Sequence, residues 1–127
     1  MRRALGAAIL AAAAAFAAAP ASATQGLLCR PATGSGPVVD IASSAQIIGV
    51  GITERGVTRS SMHPNGAIAV RQSWFDAQRV WIDLWNPTTM ADEGKLRLSY
   101  AGRGAGRHLA GTFVRAGRLY RLRCVES

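Results

Sequence analysis

Alternation of apolar and polar side chains, broken by turn signals roughly every eight to twelve residues, most narrows what this chain can become. A period of two puts successive side chains on opposite faces of a strand, so each run buries one face and wets the other. Val80, Ile82 and Leu84 alternate with Arg79, Trp81, Asp83 and Trp85, and Asn86-Pro87 ends that run. Leu96, Leu98 and Tyr100 alternate with Lys95, Arg97 and Ser99, while Tyr120, Leu122 and Cys124 oppose Leu119, Arg121 and Arg123. Leu109 and Phe113 carry the same pattern up to Ala116-Gly117. Earlier strands are expected over 27–30, 38–42, 46–53 and, more weakly, 56–61, the last followed by the tight-turn pair Asn65-Gly66. Within 46–53, Ile48, Val50 and Ile52 are expected on one face, with Gly49 and Gly51 marking a bend on the other. Ile68, Val70 and Trp74 are read as an inward set against Ala69, Arg71 and Ser73, with a turn from Phe75 to Gln78. A loop, with room for one helical turn, is expected from Met90 to Gly94. Only residues 42–48 leave helix or strand open, and no stretch after residue 23 holds a 3.6-residue period for three turns. The fold class is therefore all-β: an antiparallel meander of eight or nine strands, closing as a small barrel or a two-sheet sandwich.

Residues 1–23 are excluded from that fold. Arg2 and Arg3 precede an apolar run from Ala4 to Ala19, and Pro20-Ala21-Ser22-Ala23 ends in the small-residue pattern of a signal-peptide cleavage site. The run is shorter than the roughly 20 residues a spanning helix needs, and Leu27-Leu28 before Cys29 does not suit lipid attachment. The expectation is export from a bacterial cytoplasm, periplasmic or secreted, with one mature β domain over 24–127 and no stable membrane anchor. In that oxidising setting Cys29 and Cys124 are expected to form a disulfide joining the first and last strands. Pairing those strands is expected to remove both open edges of the sheet. Removing two of the 15 basic residues with the leader leaves a net charge of +6 against 7 acidic ones. Arg103, Arg107, Arg115, Arg118, Arg121 and Arg123 face only Glu126 in the last quarter. A field of that sign attracts anionic polymers, lipid headgroups or acidic protein surfaces, although arginine-rich surfaces also serve as ordinary solvated faces.

Residue types that carry chemistry are sparse. His63 lies near Ser60 and Ser61, with Asp40, Asp76 and Asp83 elsewhere, but no spacing matches a nucleophile elbow. His108 is the only other histidine, and no metal-ligand spacing or redox C-x-x-C is present. Gly102 to Gly106 joins two strands, not a strand to a helix, and reads as a hairpin loop instead of a phosphate cradle. Asp92 and Glu93 read as solvated loop charges. No cofactor, metal or catalytic residue is assigned, and no specific nucleic-acid binding is expected.

One arrangement points to binding. With Val80, Ile82 and Leu84 inward, Trp81 and Trp85 project from the other face, and Arg71 and Arg97 occupy outward positions on the strands beside them. With Arg121 and Arg123 they make a candidate Trp/Arg ligand face for sugars, bases, headgroups or a partner's loop. The plainer reading is that these arginines simply cover the indoles. Leu27-Leu28-Cys29-Arg30, Gln72-Ser73-Trp74-Phe75-Asp76 and Tyr120-Arg121-Leu122-Arg123-Cys124 together resemble small exported alphaproteobacterial proteins of uncharacterised function. In architecture alone the expected chain is similar to the exported inhibitors of c-type lysozyme, which are small disulfide-tied β-barrels. The leading expectation is thus an exported non-enzymatic binding module presenting a Trp/Arg sheet face. The alternative is an inhibitor of a cell-wall lytic enzyme, and a hydrolase comes third.

Overall fold

Nine antiparallel strands form a single sheet curled into a nearly closed barrel in the computed structural model, which describes residues 25–63 and 67–127. The expected leader and cleavage site, and the turn expected at Asn65-Gly66, lie outside the described residues. The strands are β1 (Gln25–Pro31), β2 (Val38–Ser43), β3 (Ile47–Glu54), β4 (Val57–Ser60), β5 (Ala69–Phe75), β6 (Arg79–Trp85), β7 (Asp92–Ala101), β8 (His108–Arg115) and β9 (Arg118–Glu126). Their order across the sheet is β4-β3-β2-β1-β9-β8-β7-β6-β5. Among the described residues no helix is long and apolar enough to cross a membrane.

Alternation does the work anticipated for it. The inward residues Val39, Ile41, Val80, Ile82, Leu84, Leu96, Leu98, Leu122 and the wholly buried Phe113 fill the interior. Cys29 and Cys124 sit directly opposite each other in the β1–β9 ladder and are joined by a disulfide. That junction lies in the middle of the sheet, however, and not at its closing seam. The open edges are β4 and β5, successive strands that do not pair, and β5 instead approaches β3 across the gap.

Two turns show how the chain reverses. Arg55-Gly56 and Ala116-Gly117 both have positive φ at each central residue, the mirror-image turn whose twist matches paired strands. At Gly111 the requirement is steric: a Cβ there would lie 1.9 Å from the Arg97 carbonyl oxygen, so β7 and β8 can approach only without it.

Bulges account for the departures from simple alternation. In β3 the register passes from Ala42↔Gly49 to Ser43↔Ile47, so Ile48 is the extra residue and turns outward, while Ile47 packs on the core. The glycine side of that bend is covered, with Met62 lying over Gly49. In β5 the register skips Arg71, and everything beyond it changes face: Phe75 turns toward the core and Trp74, expected inside, stands outside. A third bulge, at Glu93, lies in β7, which starts at Asp92 where a loop was expected. Among the described residues the only helical turn is a 3-10 turn at Gly104–Gly106 in the β7–β8 connection.

An ion cluster closes one end of the barrel. Arg115, only 9% exposed, donates from Nε to Glu54 Oε1 at 2.6 Å and from Nη1 to the Glu93 carbonyl at 2.5 Å, with Glu93 Oε2 at 3.2 Å. Glu93 is therefore an ion-pair partner and not a free loop charge. Since β8 and β3 are not sheet neighbours, this arginine clamps the mouth of the barrel from side to side.

Candidate functional site

Because of the β5 bulge, Trp74 stands opposite Trp81 in the β5–β6 ladder, and Arg97 follows Trp81 on β7. Trp74 is 57% exposed and Trp81 41%, high values for indoles, which usually lose most of their surface on folding. The Trp74 indole N–H donates to Asp76 Oδ2 at 2.7 Å, while Asp76 Oδ1 accepts the backbone N–H groups of Gln78 and Arg79 at 2.7 and 2.9 Å. One carboxylate thus shapes the hairpin turn and fixes the indole. The indole N–H, then the Gln78 N–H, hold the Asp76 carboxyl below its ordinary range.

Beside the two indoles lies a polar row. Gln72 donates to Asp83 Oδ2 at 2.6 Å, and Arg97 Nη2 lies 2.7 Å from Asp83 Oδ1. That second contact is an ion pair without hydrogen-bond alignment, so Oδ1 has a charge beside it but no aligned donor. Burial disfavours the ionised form of Asp83, but Gln72 and Arg97 outweigh it and keep the carboxyl below its usual value. Arg97 also donates to the Leu96 carbonyl at 2.9 Å and lies 5.4 Å from the Trp81 ring centre, with Arg79 at 5.0 Å from the same ring. Gln72, Ser73, Trp74, Trp81, Asp83 and Arg97 enclose a shallow pocket of about 220 Å³.

Several of the expected face residues are brought together here. Trp81 and Arg97 line the pocket. Trp85, half-buried on the same face, is covered by Arg71 at 5.3 Å from its ring centre. Arg121 and Arg123 do not join them. They lie on β9, three strands from β6 in a nine-stranded barrel, so the curvature turns them about a third of the way round. Trp74 and Gln72 were missed. Their signal was the run Arg71-Gln72-Ser73, three polar residues in succession where alternation asks for an apolar one at the middle, which fits a bulge.

Of the residues a Ser-His-Asp site would draw on, four are engaged otherwise. Asp76 and Asp83 hold the partners just described, and the Ser60 and Ser61 hydroxyls accept the N–H groups of Met62 and Val50. His108 Nδ1 lies 3.0 Å from the Gly106 carbonyl. Among the described residues no group of three or more His, Cys, Asp or Glu side chains is placed to hold a metal ion. A wider depression of about 770 Å³ covers the clamped barrel mouth, but the acidic Glu54 and Glu93 within it are already paired to Arg115. No family model, curated protein or solved structure matches this chain.

Proposed function

We propose that this chain is an exported, non-enzymatic binding module, and that the wall formed by Trp74 and Trp81 holds an anionic glycan. The observation that carries this reading is the pair of adjacent, exposed indoles beside a fixed carboxylate–amide–guanidinium row. Flat aromatic faces pack against the apolar face of a sugar ring. Asp83 and Gln72 are suited to its hydroxyls, and Arg97 and Arg79 to an acidic substituent. Trp74, Gln72, Asp83 and Arg97 sit on paired strands with bonded side chains, so little freedom is lost on binding. Both nearby carboxyls are held in the ionised form, which suits them to accepting hydrogen bonds and makes them poor proton donors at neutral pH. Export rests on the leader-like residues 1–23 and agrees with the disulfide.

The test is tryptophan fluorescence of the mature, oxidised protein titrated with oligogalacturonate and, separately, with neutral dextran. A saturable change with the acidic oligosaccharide is expected. It should vanish in a Trp74→Ala/Trp81→Ala variant whose thermal midpoint stays close to the parent's. Absence of a saturable change, or its persistence in the double variant, overturns the reading. Intact mass of periplasmic material checks the export step: a chain beginning at Thr24 without lipid is expected, and one retaining residues 1–23 refutes it.

A further inference from the structure

Farther round the barrel, where β9 meets β1, register creates an arrangement that folding alone does not favour. The residue pair next to the Cys29–Cys124 disulfide is Arg30↔Arg123, two guanidinium side chains directly opposed on the outer face. Like charges in that position destabilise a sheet. Arg121 lies on the same face two residues along β9, and none of the three makes a salt bridge among the described residues. The nearest acidic positions by register are Asp40 on β2 and Glu126 at the end of β9, and neither is paired with these arginines. Along β9 the outward residues run Leu119, Arg121, Arg123, Val125, so exposed apolar side chains (59% and 60%) bracket the cations. This outer wall of a barrel curves away from its neighbours, so a ligand must bring its own extended surface to meet all three charges.

We propose that the outer face of β9 and β1 docks on an anionic lipid surface. Arg30, Arg121 and Arg123 would engage the headgroup phosphates, and Leu119 and Val125 would rest at headgroup level. The disulfide pins the two strands that carry the opposed arginines, holding a charge pair that would otherwise push the ladder apart. This face is separate from the tryptophan wall, so either can fail without the other.

The experiment is co-sedimentation of the mature, oxidised protein with vesicles of phosphatidylglycerol and phosphatidylcholine, against phosphatidylcholine alone, at low and high salt. Binding only to the anionic vesicles, weakened by salt, is expected. Arg30→Gln, Arg121→Gln and Arg123→Gln should each lower partitioning about fivefold, whereas Arg55→Gln, with the same loss of net charge at the β3–β4 hairpin, off this face, should change it less than twofold. Without vesicles, Arg123→Gln should melt no lower than the parent, since it relieves the opposed pair, so lost binding will not reflect lost fold. Equal binding to neutral vesicles, an equal effect of Arg55→Gln, or no binding overturns the proposal. So does competition by millimolar inorganic phosphate at constant ionic strength, which would mark a small-anion site instead.

Discussion

Replacing Arg115 with methionine tests whether the charge clamp holds the barrel mouth. The substitution keeps much of the aliphatic bulk but leaves Glu54 and Glu93 without their shared cation. Removing one partner of a buried ion network costs about 3–5 kcal/mol. Here the arginine is 9% exposed but the carboxylates are 29% and 24% exposed, so water relieves part of the loss and about 2–3 kcal/mol is expected. Urea denaturation near pH 7 should show that deficit as a lowered midpoint with an unchanged slope. In the variant the two carboxylates are left to repel each other across the barrel mouth. Adding Glu54→Gln and Glu93→Gln to the variant should recover most of the loss at neutral pH. A deficit under about 1 kcal/mol at neutral pH, or one that the two glutamines fail to recover, would refute the clamp.

Gly111→Ala should cost about 3 kcal/mol or more, because its Cβ meets a backbone carbonyl that cannot move without breaking the β7–β8 ladder; a parent-like urea midpoint would contradict that. Ala116→Asn places a residue tolerant of positive φ before Gly117 and should gain roughly 0.5–1 kcal/mol, so a lower melting temperature would argue against the turn assignment. Asp76 is held below its ordinary carboxyl range, so its contribution is present above the unfolded value near 3.8 and disappears as pH falls through the lower folded value. Trp74 emission should shift in that acid window, and Asp76→Ala should abolish the shift; an identical acid shift in the variant would show that the indole reports something else.

The class, the strand rhythm of the second half, the cysteine pairing and the outward placement of Trp81 were legible because an uninterrupted period of two carries all of them. What escaped is traceable to parity. A bulge adds one residue and reverses inside and outside for everything beyond it, so Arg71 moved Trp74 from the expected core to the candidate site. Ile47-Ile48 did the same in miniature, offering two apolar residues for one inward position. Curvature was invisible for a different reason: alternation says which face a side chain occupies but not how far round the barrel its strand lies. That is why Arg121 and Arg123 were grouped with tryptophans from which they are turned away. The cross-barrel pairing of Arg115 with Glu54 joins residues 61 positions apart and leaves no local pattern.

Read from one free edge to the other, the sheet runs β5-β6-β7-β8-β9-β1-β2-β3-β4, which is the chain order rotated. Only the β9–β1 junction joins strands distant in sequence, and there Leu27 opposes Glu126 while the Ser127 N–H reaches the Gly26 carbonyl at 2.9 Å. A circular permutant opened in the β4–β5 connection, with the β9 end linked to the β1 start by a short flexible segment, would make every strand pair a sequence-local hairpin. Its contact order drops, so it should fold faster than the native order. The same cut changes what the disulfide is for. Across a separation of 95 residues it restrains most of the unfolded chain, whereas in the permutant it would close one hairpin and lose part of its entropic leverage.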